Sequence, residues 1–290
     1  MKYSIHVIAL SLLLSACGKT PETEVAVEAK PGPIIVDGLS GPESVRYDAE
    51  LDLYFVSNFN DEPAGDANGF VSKVSPDGEI LELQFMVGTD QWPLHGGRGM
   101  WIDERGLWVV DAGGVHLFDR NTGEQLDFVE FSDYELGFLN DVVLAGDGAL
   151  YVTDTRTAKL YRIDAAGVSL VTDVAMSPNG ITLNPANGRL LLVPWANGTE
   201  ILEYDINTET MSPIGAFNGG GNFDGIEVVN GKFIVASQAD TSLHVMVDGV
   251  DKKMFELPGK PADIGIDTKR NRVAVPYVAL NRVDILPLGN

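Results

Sequence analysis

The sequence predicts an all-β fold: a six-bladed β-propeller of four-stranded blades, with the ring closed by an N-terminal strand at 34–36 that completes the last blade. Three observations lead there. A short polar-then-apolar phrase recurs as ESVRYD, RGMWID, NDVVLA, NGITLN, DGIEVV and ADIGID, opening at Glu43, Arg98, Asn140, Asn179, Asp224 and Ala262. The openings lie 55, 42, 39, 45 and 38 residues apart, and a period of about 40 with strand-like units marks a radial repeat. The last unit ends at Leu288 after three strands, while a spare apolar stretch, Ile34-Ile35-Val36, precedes the first.

Each unit continues the same way. The second strands are read at LDLYFVS (51–57), LWVVD (107–111), ALYVTD (149–154), RLLLVP (189–194), KFIVAS (232–237) and RVAVPY (272–277). The third strands follow as FVSKVS, VHLFD, KLYRID, ILEYDI, LHVMV and RVDILPL, and more variable stretches such as GEILELQFM complete most units. Alternation, β-branched and aromatic residues and Gly-bearing turns indicate antiparallel strands throughout. Up-and-down blades place the entry to strand one and the turn between strands two and three on a single face. The hairpin dipeptides Asp147-Gly148, Asn187-Gly188 and Asn230-Gly231 therefore belong to the opposite face. The functional face carries the richer loops 58–69, 88–97, 132–139, 195–199, 216–222 and 277–281.

Ahead of the repeats, residues 1–16 read as a signal peptide: Lys2, then the apolar run from Val7 to Leu14, too short to span a bilayer as a helix. Leu14-Ser15-Ala16-Cys17 resembles the bacterial lipobox, which implies a lipid on Cys17 and a mature chain beginning there. Residues 17–33 form a polar tether and 34–290 the propeller. Cys17 is the one cysteine in 290 residues, so the propeller has no disulfides. The expected location is the bacterial cell envelope on the periplasmic side, with contact to the membrane through the Cys17 lipid alone. Gly18, in place of an Asp, points to the outer membrane. The net charge of −22 argues against nucleic acid and anionic lipid surfaces as partners, since both call for basic patches.

If the ring closes, the opening residues of the phrases converge on its axis. Glu43, Asn140, Asn179 and Asp224 then present two carboxylates and two amides, a hard oxygen set suited to Ca²⁺, which takes about 6–8 oxygens in irregular geometry. No His or Cys joins the column, which disfavours Zn²⁺. Asn179-Gly180 and Asp224-Gly225 are also ordinary turn dipeptides, but their register sets them at the start of a first strand. Ala262 leaves room, and Arg98 either pairs with a neighbouring acid or reaches an anionic substrate group.

GPESV at 41–45, LND at 139–141, SPNGI at 177–181 and FDGIEV at 223–228 resemble the SMP-30/gluconolactonase family, itself similar to paraoxonase and the squid-type diisopropylfluorophosphatase. The resemblance runs from about Gly41 to the end of the chain. It implies a six-bladed propeller with a divalent cation, usually calcium, in its tunnel, held by Glu43, Asn140, Asn179 and Asp224. It also implies hydrolysis of a small-molecule lactone or ester, with Asp224 as ligand and base. Asp141 and His95 are further catalytic candidates, His95 because an imidazole on a face loop titrates near neutral pH. Two departures stand out. The sugar-lactone enzymes carry Arg two residues before the Asn matching Asn140, where this chain has Phe138, which argues against gluconolactone itself. The paired catalytic histidines of the paraoxonase type are also not reproduced. Trp92, Phe59, Phe138, Trp195 and Tyr277 instead suggest an apolar mouth, with Arg98 beside it. The alternative is a non-catalytic propeller that binds a ligand or protein around a structural Ca²⁺.

Overall fold

Six antiparallel four-stranded sheets follow one another along the chain in the computed structural model, which describes residues 32–60 and 66–289. The proposed signal segment, Cys17 and nearly all of the tether lie outside the described residues. The first strands of the blades are Pro42–Asp48, Met100–Ile102, Leu139–Leu144, Ser177–Leu183, Phe223–Val229 and Gly265–Asp267. Each touches the first strands of the two neighbouring blades, so the six form a closed circuit around an axis. Among the described residues no helix is long and apolar enough to cross a membrane; a single 3-10 turn spans Val278–Leu280.

Ring closure follows the predicted route. Ile34–Asp37 pairs antiparallel with Arg282–Pro287, matching Ile34 to Ile285 and Asp37 to Arg282, and becomes the outer strand of the sixth sheet. Val36 and Leu39 pack there with Val45, Tyr54, Val283 and Ile285, fastening the last blade to the first. The other five blade interfaces each hold an equivalent apolar cluster, exemplified by Trp108, Val110, Phe131, Val142, Val152 and Tyr161 between the second and third blades. Alternation along the strands produces this arrangement, since each buried face of a blade meets the next blade and only the outermost strands stay wet.

One irregularity recurs where it matters. In four blades the pairing of strand one with strand two breaks at the column residue. Between Leu139↔Asp154 and Val142↔Val152, Asn140 and Asp141 oppose Thr153 alone; Asn179 and Gly180 oppose Val193, and Asp224 and Gly225 oppose Ala236, in the same way. The first blade slips between Pro42 and Ser44, at Glu43. Such bulges bend a strand and re-aim a side chain. Gly180 and Gly225 accordingly lie within strands, outside the left-handed region. A Cβ on Gly180 would fall 2.1 Å from the Asp224 carbonyl oxygen, and one on Gly225 2.5 Å from Asp263 Oδ1. These two glycines serve the close approach of neighbouring inner strands.

The closing strand yields a test. A chain starting at Gly38 should lose roughly 2–3 kcal/mol, the burial of one valine and part of an isoleucine, and should self-associate with rising concentration through the uncovered edge of Arg282–Pro287. Urea unfolding and light scattering against a chain starting at Gly32 check both; equal midpoints would show that the strand does not close the ring.

Candidate metal centre and cavity

Glu43, Asn140, Asn179 and Asp224 converge on one cavity of about 470 Å³ at the axis. All four side chains are buried. Each holds a buried oxygen with no hydrogen-bond partner: Glu43 Oε2, Asn140 Oδ1, Asn179 Oδ1 and Asp224 Oδ1. An unsatisfied buried polar atom costs about 1–3 kcal/mol, so four of them in one cavity demand a shared partner. Hard oxygen donors, two of them acidic, fit a divalent cation of the calcium type. Among the described residues no group of three or more His, Cys, Asp or Glu side chains is arranged for a metal. The set here mixes carboxylate with amide.

The electrostatics show the same want of a cation. Burial raises the Glu43 carboxyl well above the usual range, and the charges of Asp224 and Asp263 add to this against the pull of Arg98. Burial and then Asp263 push Asp224 up to about 8, opposed by the hydrogen bond that Gln238 Nε2 donates to Asp224 Oδ2 at 2.7 Å. Deeper along the axis, Asp263 accepts from Ser44 Oγ at 2.5 Å, and Asp141 accepts from the backbone N–H groups of Val142 and Ile181. Arg46 closes the far side: it pairs with Glu227, lies 3.5 Å from Asp263 and sits 5.6 Å from the centre of the Trp101 ring.

The remaining candidate residues are distributed as follows. Phe59, Phe138 and Trp195 line the cavity, joined by Ala262. Arg98 is buried beside it rather than in its wall; its guanidinium lies 3.7 Å from the Phe138 ring centre and donates to the Leu139 carbonyl. Asp141 also stands outside the wall, with its carboxylate spent on the backbone. His95 and Trp92 belong to the neighbouring loop and do not line the cavity; His95 Nδ1 accepts from the Ala67 N–H at 3.1 Å. Tyr277 is fully buried in the interface of the fifth and sixth blades.

Sequence reasoning missed Thr155, Arg156, Ser177, Gln238 and Val278, which complete the wall. It also missed a repeated anchor. Asn58, Asp111 and Asp154, near or at the ends of second strands and all buried, accept backbone N–H groups from the loop leading into their own blade's first strand: Ser40 for Asn58, His95 and Gly96 for Asp111, Gly137 and Phe138 for Asp154. The signal is visible in VSN, VVD and VTD at those strand ends. Ser57 and Thr153, one residue earlier, stitch blades together by donating to the carbonyls of Arg98 and Asn179.

Asp111 supplies a pH test. Burial alone would raise its pKa. The hydrogen bond from His116 Nε2 and those from His95 and Gly96 prevail and bring it to about 2. A carboxyl depressed in the folded state contributes fully above its unfolded pKa of about 3.9, and that contribution is lost as pH falls through the folded value. Wild-type protein should therefore lose roughly 2 kcal/mol more than Asp111→Asn between about pH 4 and pH 2, read by urea unfolding. Parallel profiles would refute the role of the anchor.

The sequence model of the SMP-30/Gluconolactonase/LRE-like region matches residues 42–261. No curated protein matches this sequence. Among solved structures, one of a protein assigned as a gluconolactonase aligns with a TM-score of 0.69 at 18% identity, covering 88% of this chain and 92% of the other. A gluconolactonase from Xanthomonas campestris aligns with a TM-score of 0.66 at 17% identity, covering 88% of each chain. Virginiamycin B lyase from Staphylococcus aureus aligns at 0.65 and 12% identity, over 89% of this chain and 99% of the other. At these identities the structural likeness is one of fold, and it spans proteins of different activity.

Proposed function

Because the chain belongs to the SMP-30/gluconolactonase/LRE-like family, we propose that it is a calcium-dependent hydrolase of lactones or related esters, working at the cell envelope from a lipid anchor on Cys17. One observation carries this reading: the four partnerless oxygens of Glu43, Asn140, Asn179 and Asp224 around a cavity large enough for a small substrate. Bound there, a divalent cation supplies Lewis-acid polarisation of a carbonyl and stabilises negative charge on its oxygen.

The chain's own residues do the rest. Glu43, Asn140, Asn179 and Asp224 hold the ion, and the bulges aim them. Gln238 fixes the Asp224 carboxylate through Oδ2, leaving Oδ1 turned to the site. Asp224 is the acceptor for the proton of the attacking water. Phe59, Phe138, Trp195 and Val278 hold the apolar body of the substrate and keep bulk water from the axis. Phe138, standing in the wall where the sugar-lactone enzymes carry an arginine, favours a less polar lactone than a sugar lactone.

Calorimetric titration of the chain from Gly32, which clusters as one compact unit, should show one calcium site. Binding should weaken on the order of 100-fold in Asp224→Ala and 10-fold in Asn179→Ala, about 2.8 and 1.4 kcal/mol. Turnover of a lactone and aryl-ester panel should vanish with chelator and return with Ca²⁺. Unchanged binding in both variants would sink the metal assignment. Tight binding with no turnover on any substrate would make the protein a binding propeller.

A further inference from the structure

The cavity wall has a cationic and hydroxylic corner that metal-assisted hydrolysis does not use. Arg156 is the one cation among the described residues lining the cavity, and its side chain is exposed there. No described carboxylate pairs with it. Next to it, Thr155 is nine-tenths buried, lines the same cavity and leaves Oγ1 without a hydrogen-bond partner. The pair is held in place by a built support. Asp154 Oδ1 accepts the backbone N–H groups of Arg156 and Thr157 while the same carboxylate takes those of Gly137 and Phe138. Gly137 lets the two loops meet: a Cβ there would lie 2.6 Å from Arg156 Cβ. The Arg156 guanidinium then stands 6.0 Å from the centre of the Phe138 ring.

We propose that Arg156 and the Thr155 hydroxyl form an anion subsite, and that the substrate is a lactone or ester carrying a carboxylate on an otherwise apolar or aromatic body. The proposal rests on the hydrolase reading above. In a chain of net charge −22, an arginine at a cavity rim with no carboxylate partner among the described residues has a use if the ligand is itself anionic. With the charges of Glu43 and Asp224 balanced by a divalent ion, Arg156 is the positive charge left in the cavity wall itself. One guanidinium and one hydroxyl match a monoanionic carboxylate, which accepts from both through its two oxygens; a dianionic phosphate would call for a second cation. The aromatic wall of Phe59, Phe138 and Trp195 receives the remainder of the molecule.

The test compares a γ-lactone bearing a ring carboxylate with its primary amide, on the calcium-loaded protein. Wild type should prefer the carboxylate in kcat/KM, the preference should shrink as salt rises, and it should fall at least tenfold in Arg156→Gln. Arg156→Lys should recover part of it and Thr155→Val should lose about tenfold, in keeping with one hydrogen bond to a charged group. A carboxylate-to-amide ratio that stays within twofold in Arg156→Gln overturns the subsite and leaves the hydrolase reading standing. Should wild type turn over neither compound, the lactone and aryl-ester panel decides the hydrolase reading and calorimetry decides the subsite: phenylacetate must bind wild type at least tenfold more tightly than Arg156→Gln, with phenylacetamide as the neutral reference. Equal phenylacetate affinities overturn it.

Discussion

Buried negative charge crowded onto one axis is the constraint around which this molecule is organised. Closing a circuit of six inner strands brings Glu43, Asp141, Asp224 and Asp263 into one interior column, where like charges out of water repel strongly. The chain answers in three ways along the axis. Arg46, paired with Glu227 and close to Asp263, balances the deep end. Backbone N–H groups and Ser44 Oγ satisfy the middle pair, Asp141 and Asp263. At the open end, among the described residues, Glu43 and Asp224 are answered by Gln238 and the flanking charge of Arg98, and there the orphaned oxygens gather. The cation site proposed at that end would be the counterpart of the repulsion that ring closure creates.

The second layer of the design is loop control by carboxylate and amide anchors. Asn58, Asp111 and Asp154 gather the N–H groups of the segments that lead to Glu43, Arg98 and Asn140, so each column residue enters its strand from a fixed direction. The Asp154 anchor reaches further than the others, because it also sets the turn that carries Thr155 and Arg156. One buried carboxylate thus fixes both the strand that carries Asn140 and the turn that carries Thr155 and Arg156 into the cavity wall. Specificity on such a scaffold changes through the turns while the column stays in place.

What was legible in the residues was whatever repeats. The blade count, the closing strand and the four-oxygen column all follow from register, because a period near 40 residues makes position along one strand predict position in space. Thr155 and Gln238 share a register position with Phe59 and Trp195, at the end of the second strand, but Phe, Thr, Trp and Gln have no chemistry in common to mark it, and Arg156 lies one residue further along its turn. Loop membership also says little about side-chain direction. His95 belongs to a face loop yet turns its Nδ1 to Ala67, and Tyr277 ends a strand yet lies wholly inside a blade interface. The Asn-Gly and Asp-Gly pairs at 179–180 and 224–225 look like turns by composition and are bulged strand in the fold, where the missing Cβ admits a neighbouring strand.

The clasp between Ile34–Asp37 and Arg282–Pro287 also sets the order in which the molecule can be made. Its partners lie near opposite ends of the chain, so the longest loop in the topology has to close last, after every blade has been synthesised. Until then the sixth blade is three-stranded and its outer edge is open to any passing strand. Biogenesis of this propeller is therefore a race between its own first strand and foreign partners for a single edge.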